Sequence, residues 1–139
     1  MKQLVTYLNF DGTCHEAMKF YAKNFGAELQ VHTFGEMPPD FPCPEDAKNR
    51  VMHASLTKDG VTLMASDAPP GMPIQMGNNV WVNVVCESMD EIKRLFAAFS
   101  EGGEVVMDLQ DQFWGAHFGM LRDKFGTQWM FNYELPKKA

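Results

Sequence analysis

The sequence has little of what marks several large classes of protein. No apolar run approaches the ~20 residues of a membrane-spanning helix, so no membrane anchor is expected. Lys and Arg never run beyond the adjacent pairs Lys93-Arg94 and Lys137-Lys138, and 18 acidic against 12 basic residues leave a formal net charge of −6. Phosphate backbones are held by concentrated positive charge, so neither a nucleic-acid partner nor an anionic membrane is expected. Cysteine is scarce. Cys14, Cys43 and Cys86 are odd in number and show no CxxC spacing, which fits a cytoplasmic protein with reduced thiols. The opening "MKQLVTYLNF" moves straight into strand-like alternation and lacks the pattern of a secretory leader. No glycine-rich loop follows a strand, so a nucleotide cradle of the dinucleotide-binding kind is missing.

What is present is a core and a repeat. The chain has 139 residues, 45% hydrophobic and 12% aromatic, enough for one domain without staples. "Thr13-Cys-His-Glu16" and "Ser88-Met-Asp-Glu91" both read as capping boxes that open helices. Both helices should end at glycine, Gly26 and Gly102, 76 positions apart. Their apolar faces are Ala17, Phe20, Tyr21 and Phe25 in the first, and Ile92, Leu95, Phe96 and Phe99 in the second.

One strand-like run precedes each helix, "LVTYLNF" and "VWVNVVC", and three follow it. The order is β-α-β-β-β, twice. Gly60 and Gly126 of the last hairpins lie 66 positions apart. The first half's longer loop, "GEMPPDFPCPEDAKN", absorbs the difference and reads as a flap. "APPGMPIQMGN" links the halves. We therefore expect an α+β fold in which one domain, 1–139, holds two βαβββ modules, about 1–68 and 78–135.

Alternation assigns faces. Asp59-Gly60 is a two-residue hairpin turn. It places His53, Ser55 and Thr57 on one face with Thr62, Met64 and Ser66, and Met52, Ala54, Leu56, Val61, Leu63 and Ala65 on the other. The 66-residue shift then groups His117, Gly119 and Leu121 with Gln128, Met130 and Asn132. "Asp-Lys-Phe-Gly" can also form a longer turn, and a slip by one would exchange the faces. Two such sheets would combine into a curved trough with polar groups inside, a small-molecule pocket by default.

The strings "YLNFDGTCHEAMKFYAKNFGAEL", "FGEMP", "HASL", "LMASDAP" and "FWGAHFGMLRDKFGTQWMFN" resemble the PhnB-like branch of the vicinal oxygen chelate superfamily, home of glyoxalase I, extradiol dioxygenases and bleomycin resistance proteins. The resemblance covers nearly the whole chain. It implies a glyoxalase-like fold and a homodimer, which exposed strand edges also invite. It further implies a metal site with one ligand from the first and last strand of each half. Carried over, those positions fall near Val5 and Trp81 and on Met64 and Met130, none of them His, Asp, Glu or Cys. Thioethers are poor ligands for Zn²⁺, Mg²⁺, Mn²⁺ or Fe²⁺. The expectation is a trough without that metal and without a cofactor, with the Trp81 indole filling part of the lost site.

Within the trough, His53 and His117 are the candidates for acid–base catalysis or for hydrogen bonding an anionic ligand. The blander account makes them partly buried histidines bonded to hydroxyls. Tyr7, Asn9, Ser55, Ser66, Asn83, Gln128 and Asn132 supply donors and acceptors, and Met64 and Met130 supply an adaptable floor. Trp114 beside Phe113 is either an aromatic wall or packing surface. A metal held at a shifted site would need Glu36, Asp40 or Glu45 beside His53 or His117. Cys86 has no evident His partner, His15 and His32 receive no role, and Arg122, Asp123 and Lys124 read as a solvated charge cluster. The leading function is small-molecule binding. The alternatives are a lyase, isomerase or dioxygenase-like enzyme using a shifted metal, and a resistance-type protein that sequesters a drug.

Overall fold

Two helices with matching apolar stripes organise the chain. The computed structural model describes residues 1–40 and 43–137, and its contacts divide the chain into two compact units, Met1–Gln75 and Met76–Ala139. Phe41 and Pro42 of the proline-rich loop, and Lys138 of the terminal lysine pair, lie outside the described residues.

The first unit runs β1 (Thr6–Phe10), α1 (Cys14–Phe25), β2 (Glu28–Thr33), β3 (Val51–Lys58) and β4 (Val61–Asp67). Its sheet has the order β1-β4-β3-β2, with β1 parallel to β4 and the other pairs antiparallel. The second unit repeats this with β5 (Val82–Val85), α2 (Met89–Ser100), β6 (Glu104–Gln112), β7 (Ala116–Arg122) and β8 (Gln128–Glu134), in the order β5-β8-β7-β6. The described residues thus form two four-stranded mixed sheets, each a βαβββ module.

In the first unit α1 packs against β2, β3 and β4. The sheet meets it with buried Ala54, Leu56, Leu63 and Ala65, as alternation predicted. Two expected core residues are outside. Val61 sits at the hairpin tip beside the Asp59-Gly60 turn and is 69% exposed. Met52 is exposed because the β2–β3 ladder skips it: His32 pairs with His53, but Thr33 pairs with Val51. The extra residue bulges outward and Val51 takes the core position.

The helix starts divide. Ser88 caps α2 as expected, accepting a hydrogen bond from the Glu91 amide at 3.0 Å. Thr13 makes no such bond. The carboxylate of Asp67, at the end of β4, instead takes the Gly12 and Cys14 amides at the start of α1. That pulls Cys14 inward, so the buried stripe of α1 is Cys14, Ala17, Met18 and Tyr21, with Phe20 and Phe25 only half-buried. The buried stripe of α2 is Ile92, Leu95, Phe96 and Phe99, as predicted. Phe99 meets Trp129 and Phe131 edge-on at 5.2 and 5.3 Å between ring centroids, a geometry that adds roughly 1 kcal/mol per pair to area burial.

The second hairpin departs from the 66-residue shift. Met120 pairs with Met130, Leu121 with Trp129 and Gly119 with Phe131. The turn between Arg122 and Gln128 is longer than Asp59-Gly60, which shifts β7 by one residue and exchanges its faces. Asp123 builds this turn. Its carboxylate accepts from the Phe125 and Thr127 amides and from the Trp129 indole at 2.8 to 2.9 Å. It is 3% exposed, so it is no part of a solvated charge cluster. Gly119 faces α2 at close range: a Cβ there would lie 2.7 Å from the Phe96 ring.

Candidate functional site

The half-exposed face of the first sheet, opposite α1, gathers the sequence-predicted polar residues of that unit. Tyr7 pairs in register with Met64, and Met64 with Ser55. Asn9 pairs with Ser66, and the Ser66 hydroxyl donates to the Asn9 amide oxygen at 3.2 Å. The Tyr7 hydroxyl lies 3.2 Å from His53 Nδ1, with ring centroids 5.8 Å apart. The histidine tautomer decides which group donates. Tyr7, Asn9, His53, Ser55, Met64 and Ser66 thus come together on one surface.

Buried Asp67 and half-buried Arg50 hold this face. Asp67 accepts from the amides of Gly12 at 2.8 Å, Cys14 at 3.0 Å and Val51 at 2.8 Å. Arg50 donates to the Ala68 carbonyl and to Asp11, both at 2.7 Å. Together these fix the ends of β1, β3 and β4, and with them Asn9, His53 and Ser66. The Cys14 thiol is pushed up to about 12 by burial and then by the neighbouring Asp67 charge. The Cys86 thiol reaches about 12 by burial and the Glu91 charge. Both stay protonated and unreactive at neutral pH.

Sequence reasoning missed His32. It lies on edge strand β2 directly across from His53, so both imidazoles sit on the same face. His32 Nδ1 is 3.5 Å from Glu36 Oε2. Glu36 is held in turn by the Thr33 amide at 2.7 Å. Strand alternation alone puts His32 on the face of Gln30, but the long β2–β3 loop hid which β3 residue it would meet.

The second unit's half-exposed face differs chemically. Asn83, Met130 and Met120 form one row, and Asn132 pairs with Phe118. Trp114 approaches Phe118 edge-on at 5.9 Å and is itself 55% exposed. Three expected members are placed otherwise. The shifted register moves His117 to the opposite face, level with Tyr133, where its Nδ1 meets Asp111 Oδ1 at 2.7 Å. Gln128 is buried, with its amide donating to the Val80 carbonyl and accepting from Arg122. Trp81 precedes β5 and donates its indole N–H to the Asn78 carbonyl at 3.0 Å.

A divalent cation at the superfamily's positions would meet few good donors. Val5 and Trp81 lie just outside the strands. The residues level with Met64 and Met130 are Tyr7 and Asn83. The first unit therefore offers a phenol beside a thioether and the second an amide beside a thioether, and neither pair is a good donor set for such an ion. Among the described residues, no group of three His, Cys, Asp or Glu side chains is placed to hold one.

Residues 2–131 match the family model described as 3-demethylubiquinone-9 3-methyltransferase. The Escherichia coli protein YjdN is 34% identical, with 93% of each chain covered. The chain belongs to the PhnB-like branch of the vicinal oxygen chelate superfamily. Among solved structures, PA1353 of Pseudomonas aeruginosa is 39% identical to this PhnB-like chain. It superposes with a TM-score of 0.88 over 98% of this chain and 100% of that one. The PhnB protein of Bacillus cereus is 26% identical, with a TM-score of 0.78 over 95% and 99%. A glyoxalase/bleomycin resistance protein/dioxygenase from Nocardioides, 20% identical with a TM-score of 0.57 over 100% and 91%, shares the fold. No helix among the described residues is long and apolar enough to cross a membrane.

Proposed function

We propose that this protein binds a small organic molecule on the half-exposed face of its first sheet, with no cation at the superfamily's metal positions. The observation behind this reading is the Tyr7–His53 hydrogen bond at 3.2 Å, set beside Asn9–Ser66 at 3.2 Å. The sheet thereby presents a phenol, an imidazole, an amide and a hydroxyl in fixed relation, with Met64 between them as adaptable apolar surface. Such a set suits a compact ligand with a carbonyl or carboxylate oxygen. Metal-stripped protein is expected to bind such fragments, and His53→Ala and Tyr7→Phe each to weaken binding about tenfold, one lost hydrogen bond's worth. His117→Ala, on β7 of the second sheet, should leave binding unchanged. Equal affinity in all four proteins would remove His53 and Tyr7 from the account.

An enzyme is the second reading, and the same pair favours it. A phenol bonded to an imidazole can relay a proton to a bound carbonyl compound. The reaction in the family model's description needs a methyl donor. The sheets here, each with one parallel pair and two antiparallel ones, do not resemble the doubly wound parallel sheets that hold nucleotide-like cofactors. Sequestering a drug, as in a resistance-type protein, is the third reading and makes no demand on His53 as a base.

We also infer a homodimer. Edge strand β6 exposes Val105, Val106 and Met107, and its turn exposes Phe113 at 98%. Unpaired edges with apolar side chains favour association. Analytical ultracentrifugation should give twice the 15.8 kDa chain mass, and Val106→Lys should shift the equilibrium toward monomer. A monomer at every concentration would contradict the inference.

A further inference from the structure

We propose that His32 and His53 form a two-imidazole site for a borderline divalent cation, of the Zn²⁺, Ni²⁺ and Cu²⁺ class, on the half-exposed face of the first sheet. The site lies on β2 and β3, not on the strands that carry the superfamily's metal positions, and it does not rest on the small-molecule reading.

Three observations converge on it. The first is register. His32 and His53 are direct partners in an antiparallel ladder, where facing Cβ atoms lie about 5 Å apart. Two imidazoles on one face at that spacing can reach one ion. The second is the environment of the ring nitrogens. A metal-ligating histidine ordinarily uses one nitrogen for the ion and gives its other N–H to a carboxylate, carbonyl or similar acceptor. His32 has its Nδ1 against the Glu36 carboxylate. His53 has its Nδ1 against the Tyr7 hydroxyl. With the proton on Nδ1 in each ring, both Nε2 atoms present a lone pair. The third is the bulge. The ladder shifts immediately after His32, turning Met52 outward and leading the chain into the Phe34–Glu36 turn that brings Glu36 back to His32. A bulge placed this way re-aims side chains.

Imidazole nitrogens select zinc, nickel and copper over magnesium or calcium, which take oxygen. Among the described residues no third His, Cys, Asp or Glu completes the set. The remaining coordination positions therefore belong to water or to an oxygen-donor ligand.

The experiment uses the full chain without a histidine tag, treated with EDTA and titrated with Ni²⁺ by calorimetry. One ion per chain is expected. His32→Ala and His53→Ala should each abolish saturable binding, while His15→Ala, on α1, should leave it intact. Tyr7→Phe should weaken it about tenfold, as loss of an outer partner does. His32 and His53 are not core residues, so circular dichroism should show every variant folded. Absence of saturable binding, or binding that survives both histidine substitutions, would overturn the proposal. Fragment binding measured on the EDTA-treated protein fails or succeeds separately.

Discussion

Asp67→Ala is expected to cost about 3–5 kcal/mol of folding stability and to abolish ligand binding on the first sheet. The carboxylate is 3% exposed and satisfies three backbone amides from three separate segments: Gly12 after β1, Cys14 at the start of α1, and Val51 at the start of β3. Alanine leaves those donors with nothing to bond. Each unsatisfied buried amide costs about 1–3 kcal/mol, and water entering near Gly12 recovers part of that. The loss is a large share of the ~5–15 kcal/mol that holds a domain of this kind together. Asp67→Asn keeps one acceptor oxygen but turns an N–H₂ toward a donor, so an intermediate loss is expected. Denaturant unfolding of the three proteins measures the series. A loss below about 1 kcal/mol for Asp67→Ala would mean that the clasp is not what fixes the strand ends.

Gly103→Ala should be nearly as damaging, by about 3 kcal/mol, for a different reason. A Cβ at Gly103 would lie 2.2 Å from the Arg122 carbonyl oxygen and 3.0 Å from backbone atoms of Asp123. Those are main-chain atoms in a paired ladder: Glu104, the next residue, pairs with Arg122. No side chain can rotate away to make room. Relief requires moving the start of β6, and with it the turn that Asp123 organises for the Trp129 indole. Overpacking ordinarily costs about 1–3 kcal/mol, and rigid neighbours place this site at the upper end. Thermal unfolding followed by tryptophan fluorescence is the measurement. A midpoint within a degree of the parent would show that β6 and β7 can separate there freely.

What could be read from the sequence follows from which signals are local. The buried face of α2 came out complete because Ser88 and Glu91 mark its start and Ile92, Leu95, Phe96 and Phe99 keep a helical period. The β3–β4 hairpin came out in register because Asp59-Gly60 admits one turn geometry, and both residues do take positive φ. The errors are non-local. Thr13 looked like a cap, but Asp67, 53 positions beyond Cys14, took its place. The faces of β7 were exchanged because a two-residue period cannot report how many residues a turn holds, and Asp123 makes that turn long. His117 left the half-exposed face of the second sheet for that reason, and Phe118 and Met120 took their places on it. His32 was passed over because its role depends on facing His53 across a loop of 17 residues between Thr33 and Val51. The family was legible from short strings that span the chain, and the family's own metal positions then pointed to Val5, Met64, Trp81 and Met130, none of them a good ligand for Zn²⁺, Mg²⁺, Mn²⁺ or Fe²⁺.

The most direct test of the small-molecule reading is a map of amide chemical-shift changes when metal-stripped, isotope-labelled protein is titrated with carbonyl and carboxylate fragments. The changes should concentrate at Tyr7, Asn9, His53, Ser55 and Ser66, with His117 silent. Changes centred on the helix faces, or none at all, would contradict that reading.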